Sequence, residues 1–412
     1  MNQEWKRCGA LLVVAALSLA VVTKLFPQDS WTVDWKGNVA ADAQPLPTWE
    51  SGRAYLIDRG EALLQVRQSR PQLRLDYNLA AFVRHTSEQE SYGDLTQLNA
   101  ELTLREFPGA LGLFHIALGR LPIADLSGYV FDQPGDGVAL AMRVPGFEMA
   151  ATAGYLGLLL KNTNQVRLTP ADEAAIADPN VVLAPSGRLV ALVTLSLPDL
   201  AFRTDLGFSG LYLASDLGRS SIYDRWYGEL FVRGPLWGPI AQRSTLVVGA
   251  QLGSRISLLA ALAAIADFPE VLGSHAEIEG LYASGATNSM SAFLPLTGND
   301  PTNLAGVILA VPYQNLGLVR ATYSFRPFSK STSTWLVGLA PFVSTRWYFR
   351  PADLPVPSIG YDPSGSFYGT ELEGGFAFRH GVDPSLSLSG GLFVDASWGT
   401  QWFARSSLTV SF

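Results

Sequence analysis

Gln401-Trp402-Phe403-Ala404-Arg405-Ser406-Ser407-Leu408-Thr409-Val410-Ser411-Phe412 is the stretch whose reading decides the fold. Stepping back in twos from Phe412 gives Val410, Leu408, Ser406, Ala404 and Trp402. The interleaved set is Ser411, Thr409, Ser407, Arg405 and Phe403. Side chains of a β-strand alternate between two faces, so the segment reads as a strand with one mostly apolar and one mostly polar face. A soluble sandwich strand alternates in the same way. At a chain end, however, a strand frays unless something holds it. In a closed barrel the last strand pairs with the first, which removes the sheet edge and secures that end.

The ending resembles the C-terminal strand of bacterial outer-membrane β-barrel proteins. Phe412, Val410 and Leu408 fit that family's terminal aromatic with alternate apolar residues before it, while Ser406 stands where the pattern is apolar and Phe403 lies on the other face. The resemblance implies recognition of Phe412, Val410 and Leu408 by the barrel-assembly machinery. It also implies insertion among the lipids of the outer membrane of a diderm bacterium.

The N-terminus agrees with export. Lys6 and Arg7 precede an apolar run from Leu11 to Val22, a pattern read as a signal peptide over residues 1–23. The run is short for a spanning helix, although an uncleaved anchor is the competing reading. Cys8, the single cysteine, precedes the apolar core and so does not match a lipoprotein anchor. Without it, the exported chain has no disulfide, which suits a barrel held by its hydrogen-bond ladder.

Charged residues make up 16% and hydrophobic residues 48% of the sequence. After Val22 no run approaches the ~20 apolar residues of a spanning helix; the apolar content is dispersed in alternation, as in membrane strands. A net charge of −7 and the lack of a basic cluster argue against nucleic acid as a partner.

Residues 24–60 read as a periplasmic lead-in with room for a first strand at Trp31–Lys36, and residues 61–412 as the barrel. Gln72–Arg84 is the cleanest strand, with Leu73, Leu75, Tyr77, Leu79, Ala81 and Val83 opposite Gln72, Arg74, Asp76, Asn78 and Arg84. Leu95–Arg105 repeats the pattern. Further strands are expected at Leu111–Arg120, Val138–Val144, Glu148–Leu160, Arg188–Leu197, Leu200–Leu213, Ser221–Arg233 and Arg243–Leu252. The series continues through His275–Ala283, Gly306–Pro312, Leu316–Arg326, Thr334–Phe349, Phe367–Arg379 and Leu386–Trp398. A hairpin is placed around Pro198-Asp199, and external loops at residues 161–186, 285–303 and 350–366. Ile256–Phe268 is apolar at nearly every position; its helix formers favour a short lumen helix, with a strand between lipid and packed matter as the alternative. Trp226, Trp335, Trp347-Tyr348-Phe349, Trp398 and Trp402 gather near strand ends, as interfacial belts do. The expectation is an all-β, antiparallel up-and-down transmembrane barrel of about 16 strands, within about 14 to 18.

A barrel of that size is wide enough for an aqueous channel unless plugged. Arg74, Asp76, Glu101, Arg105, Arg203, Asp205, Arg225, Glu229, Glu371 and Glu373 fall on expected inner faces. They are the candidate pore-lining residues, and they favour hydrated polar solutes. The same charges could instead pair across strands and only hold the wall. His115 and His275 show no acidic or hydroxyl residue two positions away in a catalytic arrangement, so no enzyme, metal or cofactor is expected. The function expected is porin-like diffusion of small polar solutes. Alternatives are a plugged transporter of hydrophobic substrates similar to the fatty-acid channel family, and an adhesin or structural barrel. Homo-oligomerisation is compatible with each.

Overall fold

The computed structural model describes residues 31–45, 54–69, 72–86, 92–105, 112–184, 187–215, 223–251, 254–297, 305, 313–352, 365–379, 385–396 and 399–411. The alternating stretches are strands, each antiparallel to the next. In order these are β1 (Trp31–Pro45), β2 (Ala54–Ser69), β3 (Leu73–Thr86), β4 (Tyr92–Arg105), β5 (Leu113–Ala124) and β6 (Asp132–Val144). Then come β7 (Phe147–Tyr155), β8 (Leu189–Ala201), β9 (Thr204–Ala214), β10 (Arg225–Trp237), β11 (Ile240–Gln251) and β12 (Ser257–Phe268). The ring is completed by β13 (Ser274–Ala283), β14 (Leu316–Ser324), β15 (Leu339–Phe349), β16 (Phe367–Arg379), β17 (Ser385–Asp395) and β18 (Thr400–Ser411).

β18 returns to β1, with Asn38 opposite Ser411 and Ala43 opposite Ser406. Among the described residues the result is one closed sheet of 18 strands, an even number at the top of the expected range. Closure gives both end strands two hydrogen-bonded neighbours.

The wall begins earlier than residue 61: much of the expected lead-in is β1 and the first part of β2. The signal peptide, Phe412 and Gly306–Pro312 lie outside the described residues. Thr334–Phe349 opens not as strand but as a one-turn helix over Thr334–Val337 before β15.

Alternation holds where each face has one environment. Trp402 is 80% exposed on the outer face, whereas Phe403 is 2% exposed and points inward. Phe403 is opposite Gly391, and its ring fills the space there: a Cβ on Gly391 would come within 2.6 Å of it. The aromatic in the polar set is therefore packed against a glycine.

Ile256–Phe268 is a strand rather than the favoured helix. Its outward Leu262 is exposed, while inward Leu259, Ala261 and Ala263 are buried. The inner face is apolar because loops and a side chain from β11 cover it, and the outer face is apolar as well.

The Pro198-Asp199 turn is also displaced. Asp199 lies at positive φ within an irregular stretch of β8, and the chain reverses at Phe202-Arg203, where both residues adopt positive φ (52° and 59°). Such paired left-handed residues suit a tight hairpin.

One rim carries mostly short turns and connection 325–338, the other the connections 156–188, 284–315 and 350–366. Outward aromatics stand near both: Trp226, Tyr282, Phe349 and Trp402 toward the long loops, and Trp237, Phe268 and Tyr323 toward the short turns. Trp226 stacks on Tyr212 at 4.0 Å.

Candidate functional site: a charged lumen narrowed by inward-folded loops

The interior is built in two storeys. Toward the long-loop rim, most inward residues of β8–β14 are apolar, whereas on β4–β6 Arg120 pairs with Asp94 and Asp136. Val190, Leu192, Leu213, Val247, Leu259, Leu281 and Leu316 form one cluster with Val130, Phe131, Leu156, Leu159, Val166, Phe293 and Leu296 from the connections. The described parts of connections 125–131, 156–188 and 284–297 therefore pack against the inner wall.

Connection 125–131 is wound around one carboxylate. Asp125 accepts N–H groups of Gly128 (3.0 Å), Val130 (3.2 Å) and Phe131 (2.6 Å) and the Ser127 hydroxyl (2.9 Å). Burial nonetheless pushes its carboxyl above the ordinary range, outweighing those donors. The wall holds the same loop at two points. Leu126 N–H donates to Glu229 (3.1 Å), which also accepts the Ser209 hydroxyl (2.7 Å), and Tyr129 Oη donates to Glu279 (2.8 Å). Leu296 N–H then reaches the Val130 carbonyl at 2.8 Å, and Tyr313 meets Tyr129 edge-on at 5.2 Å.

Connection 156–188 carries helix α1 (Pro170–Ala177), although a plain polar loop was expected over residues 161–186. Thr169 and Asp172 form a capping box, and Pro170 sits in the first turn, where its missing N–H costs nothing. Lys161 Nζ caps the other end through the carbonyls of Ala175 (3.3 Å) and Ile176 (3.2 Å), opposite the negative end of the dipole. Asp172 also pairs with Arg188, which is fully buried and donates to the Val166 carbonyl at 2.7 Å.

Burial disfavours the ionised Asp172, but the Leu168 and Thr169 N–H groups and Arg188 outweigh it and hold the carboxyl below its ordinary 3.8. A depressed folded value means the contribution is complete above 3.8 and is lost as pH falls through the lowered value. Amide exchange in residues 160–184 is therefore expected to accelerate below that point in the native protein. In Asp172→Asn it should already be fast at neutral pH. Equal protection of the two proteins at pH 7 would refute the clamp.

Below the apolar storey lies a charged band in two panels. On β2–β5, Asp76 accepts from Arg67 (2.7 Å) and Arg74 (2.5 Å). Asn78 bridges Asn99 and Glu101, each at 2.9 Å, and His115 meets Glu101 at 3.3 Å. On β11–β16, Arg320 contacts Glu279 (2.8 Å) and Glu277 (3.3 Å). Arg346 sits between Glu371 (2.7 Å) and Glu373 (3.1 Å).

Arg243, on β11, crosses the whole of β12 to reach Glu277 at 3.0 Å on β13. It can do so because the residue opposite it is Ala263, itself opposite Glu279. The alanines that made this strand resemble a helix make room for the bridge.

Of the candidate pore residues, Arg74, Asp76 and Glu101 share the first panel and Glu371 and Glu373 the second. Glu229 clasps the loop. Arg225 is buried and donates to the Asp224 carbonyl (3.2 Å), and Asp205 accepts the Asp199 N–H (3.1 Å). Arg105 is exposed at the end of β4. Arg203 is not on the wall; it occupies the positive-φ turn after β8.

Sequence reasoning passed over Arg67, Arg243, Arg320 and Arg346, although each lies on the polar side of an alternating strand. Tyr129 and Tyr313 left no signal, being in connections. The histidines also have acidic partners, Glu101 for His115 and Asp267 for His275 (2.8 Å). The acids come from the neighbouring strand, out of reach of a search two positions along the chain.

A closed 18-stranded up-and-down barrel with a charged band inside has the architecture of outer-membrane β-barrels. No protein-family model matches the sequence, and no curated protein does. Solved structures do match in fold. The outer-membrane protein OpdK of Pseudomonas aeruginosa aligns with a TM-score of 0.62 at 12% identity, over 94% of this chain and 100% of that one. OpdQ of the same organism aligns at 0.59 with 13% identity over 94% and 99%. OccK2 (OpdF), solved in complex with glucuronate, aligns at 0.59 with 13% identity over 93% and 97%. The chain thus has the fold of these outer-membrane barrels.

Proposed function

We propose that the chain is an outer-membrane channel through which small hydrophilic solutes diffuse passively, with the long-loop rim facing outward. The observation that carries this is the exposure of inward-pointing guanidinium groups. Arg67, Arg74, Arg243 and Arg320 remain 30%, 32%, 38% and 32% exposed although they point into the barrel. Charged heads are left wet where a lumen is aqueous.

The apolar storey argues against a transporter of hydrophobic substrates. Leu213, Leu259, Leu316 and Phe293 are covered by one another and offer no open greasy surface. The glucuronate bound by OccK2 supports a polar solute.

The test is single-channel conductance of the refolded protein in a planar bilayer. Stable, salt-dependent steps are expected; a folded barrel that never conducts would leave an adhesin or structural role. The membrane placement has its own test. Leu262, exposed at the middle of β12, is expected to face hydrocarbon, so Leu262→Arg should cost about 2–4 kcal/mol in denaturant titrations in vesicles. An unchanged midpoint would remove this face from lipid.

A further inference from the structure

A solute crossing the charged band meets arginines first, and in the second panel their charge is cancelled from behind. In the second panel the carboxylates of Glu277, Glu279, Glu371 and Glu373 are 18%, 5%, 0% and 9% exposed, while Arg243 and Arg320 in front of them are 38% and 32% exposed. Arg243 and Arg320 balance Glu277 and Glu279, and Arg346 lies between Glu371 and Glu373. In the first panel Arg67 and Arg74 share Asp76, and Glu101 faces His115.

Resting on the channel reading, we infer that this lumen selects uncharged, hydroxyl-rich solutes over carboxylates of the same size. A carboxylate that approaches Arg243 also approaches Glu277, 3.0 Å from the same guanidinium. Attraction and repulsion then largely offset each other, and the anion still sheds its hydration. A hydroxyl accepts the same N–H bonds and donates to carboxylate oxygen, with little desolvation cost. Tyr129 donates its hydroxyl to Glu279, and Tyr313 meets its ring edge-on beside it. The fold is shared with a barrel solved with glucuronate, but a wall with paired arginines need not share its preference.

The experiment uses one ring in three charge states. Uptake of radiolabelled glucose, glucosamine and glucuronate is measured in vesicles of neutral phospholipid carrying the full barrel, alongside the reversal potential across a potassium chloride gradient. Glucose is expected to enter several-fold faster than glucuronate, with a reversal potential near zero or on the cation side. Glu277→Gln together with Glu279→Gln, which frees two arginines, should raise glucuronate uptake relative to glucose and move the reversal potential toward chloride.

Glucuronate entering as fast as glucose, or marked anion selectivity of the unmodified protein, overturns the inference while leaving the channel intact. Failure of all three sugars together with absent conductance removes the channel reading itself. If the double variant does not fold, the uptake ratio and reversal potential of the unmodified protein decide alone.

Discussion

Arg346→Ala is expected to be the most damaging single substitution in the wall. Arg346 is the shared cation of Glu371, fully buried, and Glu373, 9% exposed, at 2.7 and 3.1 Å. Tyr348 Oη also donates to Glu371 at 3.3 Å, a neutral hydrogen bond. Removing one partner of a buried pair leaves uncompensated charge and typically costs about 3–5 kcal/mol. Replacing the whole group by neutral isosteres can be nearly neutral. Arg346→Met with Glu371→Gln and Glu373→Gln should therefore regain most of the loss. Heat-modifiability on gels and denaturant midpoints in detergent read both. A single variant as stable as the parent would show that water already screens this group, and the buried-pair account would fail.

Excising residues 287–297 is the second large effect. This segment supplies Phe293, edge-on to Tyr227 at 6.1 Å, and Leu296 and Thr297, whose backbone and hydroxyl hold Val130 and Asp132. Without it, connection 125–131 loses a support and the lumen loses part of the matter that fills its upper storey. Conductance should rise by at least about twofold, because a barrel this wide is narrowed by its loops and not by its wall. The stability cost is separable: Phe293→Ala alone should cost about 3–5 kcal/mol as a buried aromatic with a smaller change in conductance. Unchanged conductance in the deletion would place the narrowest point elsewhere along the charged band.

Much of the wall was legible before any coordinates. Phe367–Arg379 matches β16 residue for residue, and Gln72–Arg84 and Leu95–Arg105 differ from β3 and β4 by a few residues. Asp76, Glu101, Glu371 and Glu373 were placed on the inner face because strand alternation is a property of neighbours along the chain. Alternation vanishes where both faces are dry, which is why β12 read as a helix. It also misplaced Arg203, since the positive-φ reversal at Phe202-Arg203 has neither glycine nor asparagine to mark it.

The sequence by itself determined that there would be strands, which side chains share a face, and that one face is polar. Only the tertiary structure decided who meets whom across the sheet. The Arg346–Glu371 and Arg320–Glu279 pairs depend on register between strands, and register follows from closure of the whole ring. The reach of Arg243 over Ala263 spans three strands. The clasp of Glu229 on Leu126 joins residues 103 positions apart. Such contacts depend on how far the barrel tilts and where its loops come to rest, which no local periodicity encodes.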